Sequence, residues 1–232
     1  MKTLKTLFVA AFSFAAFNVS AQTVDEIIAK NTEALGGAEK LSSLKSVKME
    51  GNMSVQGMDI PVTMTKLHMK GMRMDLEIMG TSNYQLANEQ KGWVFMPIQQ
   101  MDAPQEMPAD QYNSIKSQMD VQGSLFNYKQ KGYTAELVGT DKVGGNDAHK
   151  IKVVKNGETV FYFIDAKSNL LVKTSSTRDV NGQSMEIETT YSDYKKNADG
   201  FTFPYSSTMM QGTLTYDKIS TNIPVDEKIF TN

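Results

Sequence analysis

The 232-residue chain contains no cysteine. This excludes disulfides, thiolate metal sites, catalytic thiols and a lipid-accepting cysteine. Histidine is almost as scarce: His68 and His149 are the only two, and neither sits in an H-x-x-x-H metal spacing. There is no G-x-S-x-G nucleophile elbow and no G-x-x-x-x-G-K phosphate loop; Gly144-Gly145 reads as a turn, since no helical pattern follows it. The charge is nearly balanced, 24 Lys+Arg against 26 Asp+Glu for a net of −2, so no basic patch marks the chain for nucleic acid. No apolar run after the N-terminal segment approaches the roughly 20 residues that span a bilayer. Carboxylates such as Asp59, Asp75 and Glu77 fall on the solvated parity of alternating segments, where charge serves solubility. These absences leave a chain expected to bind rather than catalyse, with no cofactor and no resident metal.

The first 21 residues, MKTLKTLFVAAFSFAAFNVSA, have the three parts of a secretory signal. Lys2 and Lys5 are basic, Leu7 to Phe17 are apolar apart from Ser13, and Val19-Ser20-Ala21 is a small-residue cleavage site. Cleavage after Ala21 is expected to leave residues 22–232 as a single exported, periplasmic domain with no integral membrane segment.

Thr23-Val24-Asp25-Glu26 predicts a capping box, and Val24, Ile27, Ile28, Ala34 and Leu35 follow helical spacing until Gly36-Gly37. A short second helix is expected over Ala38 to Leu44. From Val47 the period is two. Val47, Met49, Gly51, Met53 and Val55 share one face, then Met58, Ile60, Val62 and Met64, then Met72, Met74, Leu76 and Ile78. Leu67 and Met69 fall on the other parity, which predicts a bulge near Lys66. Trp93 and Phe95 continue the sheet. Pro97 to Pro108 reads as a long loop, and Tyr112, Ile115 and Met119 as the apolar side of a short helix beyond it. Asn156-Gly157, Asn181-Gly182 and Asp199-Gly200 signal hairpins. The reading totals eleven or twelve antiparallel strands and three helices.

Methionine is the residue in excess. There are sixteen, and eight of them lie between Met49 and Met79, mostly on one parity of three successive strands. Ordinary cores favour Leu, Ile, Val and Phe, whereas unbranched, polarizable Met is concentrated where a surface accepts variable apolar partners. The expected cavity lining is Met49, Met53, Met58, Ile60, Val62, Met64, Met72, Met74, Leu76, Ile78, Trp93 and Phe95, with Tyr112, Ile115 and Met119 on a movable lid. Two other readings stay open. One is a structural or protein-binding envelope domain whose cavity is plugged by its own helices. The other is a Cu(I) site from Met64, His68, Met69, Met72 and Met74, since thioethers are soft donors.

With the signal segment in front, the stretches TVDEIIAKNTEALGGAEKLSSLKSV, VKMEGNMSVQGMDIPV, ETVFYFIDAKSNLLVKT, TTYSDYKKNADGFTFPYS and IPVDEKIF resemble the outer-membrane lipoprotein-sorting (LolA-like) proteins. The resemblance covers nearly the whole chain after residue 21. It implies an α+β, mainly β architecture: an incomplete antiparallel β-barrel of about eleven strands with helices plugging its concave face. It also implies a carrier of lipid acyl chains or lipoproteins that meets transfer partners at the inner and outer membranes. The family's arginine latch between barrel and lid has only Arg73 and Arg178 as candidates here. Arg73 alternates with Met72 and Met74, so it is expected to point away from the cavity.

Overall fold

The computed structural model describes residues 22–180 and 183–232. The expected signal segment and the Asn181-Gly182 hairpin lie outside the described residues. Thr23 caps helix α1 (Val24–Ala34) through the predicted box: its hydroxyl accepts from the Glu26 amide, and Glu26 accepts from the Thr23 amide. Helix α2 (Ala38–Ser43) follows. The chain then runs β1 (Ser46–Val55), β2 (Met58–Leu67), β3 (Gly71–Ile78), β4 (Thr81–Asn88) and β5 (Gly92–Phe95). A 3-10 turn at Pro97–Gln99 and a two-residue strand, β6 (Gln105–Glu106), occupy the stretch expected to be a loop, and helix α3 (Ala109–Lys116) comes next. After a turn-rich segment the remaining strands are β7 (Thr134–Val143), β8 (Asn146–Lys155), β9 (Glu158–Asp165), β10 (Leu171–Val180), β11 (Gln183–Lys196), β12 (Thr202–Met209) and β13 (Gly212–Thr221). No helix among the described residues is long and apolar enough to cross a membrane.

All thirteen strands form one antiparallel sheet in the order β6-β5-β4-β3-β2-β1-β13-β12-β11-β10-β9-β8-β7. It is open, since β6 and β7 end it without pairing to each other. The architecture is the expected mainly β, incomplete barrel, with the short β6 raising the strand number. The predicted bulge near Lys66 is absent. Strand β2 keeps unbroken register with β1 from Met58 to Leu67, and the irregularity lies instead between Glu50 and Gly51, where β1 meets β13. Leu67 ends its strand and Met69 takes a left-handed turn conformation (φ 57), so neither needs a slipped register.

Meander topology sends alternate turns to opposite ends of the sheet. Val55 pairs with Met58, Ile78 with Thr81, and Met209 with Gly212, while Ser54 pairs with both Asp59 and Thr213. The β1–β2, β3–β4 and β12–β13 turns therefore share one end, here the rim. The Pro97–Gln99 turn joins them, its Ile98 amide donating to Asn83 Oδ1 at 3.3 Å. The β2–β3, β4–β5 and β11–β12 turns lie at the other end, the base.

Three apolar clusters cover the inner face. Helix α1 places Ile27 and Ile28 on Ile151, Val153, Tyr162 and Ile164 of β8 and β9. Helix α2 and Phe126 cover Val47, Phe201 and Ile219 near the middle. Helix α3 and its flanks bring Met107, Ile115 and Met119 onto Val62, Met64, Met72, Leu76, Ala87 and Leu214. A helix and a sheet each bury one apolar face against the other, which fixes this layered arrangement.

Candidate functional site

The inner row of β1–β3 contains the methionines. Cross-strand register puts Met64 between Met49 and Met74, and Val62 beside Leu76. Exposure along this row is graded. From the base to mid-strand Met72, Met64, Val62 and Leu76 are 1%, 4%, 3% and 8% exposed, while Met49, Met53, Ile60, Met74 and Ile78 are half-buried against the same cluster. Met58, at the rim, is 50% exposed. The floor is thus sealed near the base and emerges from beneath α3 toward the rim.

Trp93 and Phe95 need correction. Ala87 shares the inner face with Met72, and its partner on β5 is Gly92, so Gly92, Val94 and Met96 point inward. Trp93 and Phe95 pair with Leu86 and Tyr84 on the outer face, where the Tyr84 and Phe95 rings lie 5.5 Å apart. Both parities of Trp93–Met96 are apolar, so alternation alone did not choose. Arg73 is on that outer face as expected, paired with Asp75 at 2.8 Å and stacked 4.3 Å over Tyr84.

Tyr112, Ile115 and Met119 lie together: Ile115 and Met119 are buried in the methionine cluster and Tyr112 packs on it. Gly92 allows this approach, because a Cβ there would lie 2.9 Å from Met107 Sδ and 3.1 Å from the Tyr112 ring. Polar bonds tie α3 to the base. Tyr112 Oη donates to Asn88 O, Lys116 Nζ to Glu89 O, and the Met69 amide to Met119 O. Toward the rim, Arg178 Nη2 on β10 donates to Ser114 Oγ at 3.1 Å. Helix α3 has no side-chain cap at Pro108, unlike α1.

Lys66 was hidden by the predicted bulge. Regular register places it on the inner row, between Val47 and Met72. Among the described residues no hydrogen bond or ion pair reaches its ammonium. Burial pushes its pKa down to about 8, with Asp120 opposing that shift. Asp120, just past the lid, accepts from Lys131 Nζ at 2.6 Å and from the Gln122 amide at 3.1 Å. His68 Nδ1 lies 3.6 Å from Asp120 and, among the described residues, has no hydrogen-bond partner. Burial lowers the His68 pKa, the Asp120 charge resists this, and Lys131 adds to it. The soft-donor set is divided by the fold: Met64, Met72 and Met74 are on the floor, His68 faces Asp120, and Met69 is exposed in the β2–β3 turn.

Two spaces lie beside the helices. One, of about 930 Å³, opens between the polar side of α3 (Asp110, Asn113, Ser114, Gln118) and Glu158, Thr159, Ser176 and Arg178. The other, of about 220 Å³, lies under α1 and α2 and is lined by Leu35, Leu125, Phe126, Tyr162, Tyr191, Tyr194 and Phe203. The sequence assigns none of its residues to a site. Its walls come from strands and a turn segment too distant in sequence for any spacing rule to link. Burial raises the pKa of Tyr162, Tyr191 and Tyr194, which keeps their hydroxyls neutral.

An open antiparallel sheet with helices laid along one face defines the half-barrel class of β proteins. Within that class the chain has the LolA-like fold. It is similar to a LolA superfamily protein of Nitrosomonas europaea, at 14% identity and TM-score 0.59 over 91% of this chain and 99% of that one. It is also similar to an outer membrane lipoprotein-sorting protein domain of Vibrio parahaemolyticus, at 14% identity and TM-score 0.53 over 88% of this chain and 94% of that one. A DUF1329 family protein of Desulfovibrio piger aligns at 10% identity and TM-score 0.59 over 91% and 98% of the two chains. No protein-family model matches the chain, and no curated protein matches it by sequence.

Proposed function

We propose that this protein is a non-enzymatic periplasmic carrier, residues 22–232 forming one domain after cleavage at Ala21, which holds a lipid acyl chain on its methionine floor. The observation that carries this reading is the graded inner row, half-buried at Met53, Ile60 and Ile78 and sealed under α3 at Met64 and Met72. An acyl chain entering from the rim extends along this row and displaces Ile115 and Met119, while α3 pivots on its bonds at the base. Unbranched methionines can repack around the intruding chain with little strain. Burying methylenes at about 0.8 kcal/mol each gives a 16-carbon chain on the order of 10 kcal/mol, and ordering costs of several kcal/mol leave binding tight enough to carry and weak enough to release. The architecture shared with the lipoprotein-sorting domain supports such a role.

The test is displacement of a fluorescent fatty-acid analogue by palmitate, with native mass spectrometry of protein purified from its source for co-purifying lipid. Ile60→Glu, at the open part of the floor, is expected to weaken probe binding at least roughly tenfold, since a charge then sits on the chain's path. The competing reading, a domain plugged by its own helix, draws on Met107, Ile115 and Met119 filling the deep half. No displaceable probe and no retained lipid would establish it instead.

A further inference from the structure

Large exposed apolar side chains are not spread evenly over the molecule. Among the described residues there are six, and four of them, Met58, Met79, Ile98 and Met210, stand on the rim turns at 50%, 84%, 39% and 65% exposure. In the sheet order these turns follow one another without interruption, from β12–β13 through β1–β2 and β3–β4 to the end of β5. With strands about 4.8 Å apart, the four side chains form a row roughly 25 Å long. Single exposed apolar residues are ordinary, but an aligned set at one end is not.

The base is built differently. Its turns carry His68, Lys70, Glu89, Lys91 and Asp199, with ion pairs Lys70–Glu89 and Lys91–Glu106. These four rim turns and the residues flanking them contain no Lys or Arg; their charges are Asp59, Glu77 and Asp102. Local folding does not call for methionine there either. Met79-Gly80 is a hairpin turn with both residues at positive φ (52 and 74), where Asn or Asp would suit better than Met. The β8–β9 hairpin uses Asn156 at the equivalent place, with φ 51. A chain that breaks a local preference with so exposed an apolar side chain points to a use for it.

We infer that the rim is a membrane-contact edge that seats Met58, Met79, Ile98 and Met210 in the interface of a zwitterionic lipid bilayer. Its apolar tips are set apart by the polar Gln56, Thr81, Gln99 and Gln211, an arrangement suited to a broad apolar surface rather than to a single anchor residue of a protein. A bilayer requires only that the tips reach one plane. Without basic residues the edge has nothing to draw it to anionic lipid, and Asp59 and Asp102 are repelled by it. The inference stands on the rim itself and does not depend on the floor holding a ligand.

Flotation of the chain beginning at Gln22 with phosphatidylcholine vesicles tests it. Combining Met58→Ser, Met79→Asn, Ile98→Ser and Met210→Ser is expected to reduce partitioning at least roughly tenfold, as lost apolar burial translates into affinity. Met69→Ser, at the base, leaves partitioning unchanged. Met79→Asn alone weakens partitioning while keeping or raising the melting temperature, because Asn fits the turn. High salt leaves binding intact, and adding phosphatidylglycerol weakens it. Failure of the unaltered protein to float, or equal flotation of the fourfold variant, overturns the inference. So does self-association, measured by sedimentation without vesicles, that the fourfold variant abolishes, since the rim would then belong to a second copy. Flotation without fatty-acid displacement keeps the contact edge and removes the carrier reading; displacement without flotation does the reverse.

Discussion

The two halves of the sheet are each covered by one helix, yet they are packed with different chemistry. Under α1 the residues are Ile27, Ile28, Leu125, Ile151, Val153 and Ile164 with Tyr128 and Tyr162, and among the described residues no methionine joins them. Under α3 four of the nine buried residues are methionine, and Met49, Met53, Met74, Met96 and Met209 pack around them. Branched and aromatic side chains occupy few rotamers and specify one arrangement, whereas methionine accepts several. The helices differ in the same sense. Helix α1 has a full capping box, and beside it Asp25 accepts from Tyr128 Oη and Lys129 Nζ, each at 2.7 Å. Helix α3 is shorter and lacks a side-chain cap. One half is thus a fixed frame and the other an adaptable floor, the division of labour that the proposed carrier function requires.

The largest blow to this contrast would come from the frame. Ile151→Ala is expected to lower global stability by about 3 kcal/mol in urea unfolding, because the rigid cluster cannot close around the void. A conservative Met64→Leu in the floor should cost under about 1.5 kcal/mol; equal losses would erase the distinction. Lys66→Met acts in the opposite direction, raising stability by about 2 kcal/mol at neutral pH, since it removes a charge that burial disfavours. The sign follows from the shift. With its folded pKa lowered to about 8 from 10.5, Lys66 binds fewer protons folded than unfolded between those values. Its contribution to stability therefore rises with pH through that window, and the difference between the unaltered protein and Lys66→Met narrows there. A flat difference would place the ammonium in water.

Helix ends give the next smaller effect. Thr23→Ala removes the α1 cap and should cost about 1 kcal/mol. Even so, hydrogen exchange is expected to open α3 before α1, and equal protection would deny that α3 is the loose element. Smallest is Pro108→Asp, which supplies α3 with a cap worth about 0.5 kcal/mol and should slow uptake of a fatty-acid probe.

Alternation in β1–β3 is enough to name the inner row, since period two leaves only the choice of face and the methionines make it. The α1 boundaries and the Asn156-Gly157 hairpin are equally legible, because capping and positive-φ turns are local chemistry. Where both parities are apolar, as at Trp93–Met96, only pairing with β4 decides. Lys66 is illegible for a different reason: a charged residue on an apolar parity looks like an error in phase, and a bulge is the simplest repair. The space under α1 and α2 depends on tertiary closure of β9–β12 over the 121–126 turn, for which no sequence signal exists.

The open sheet has one more consequence. A closed barrel has no free strand edges, but here β6 and β7 each leave one row of backbone groups unpaired. Such edges recruit strands from neighbouring molecules and seed aggregation. Strand β6 offers only two residues to a would-be partner. Strand β7 is long, but its pairing with β8 slips between Leu137 and Gly139, and Glu136, Asp141 and Lys142 stud it with charge. The kink and the charges make β7 a poor template, so a half-barrel can keep its sheet open without offering neighbouring molecules an edge to pair with.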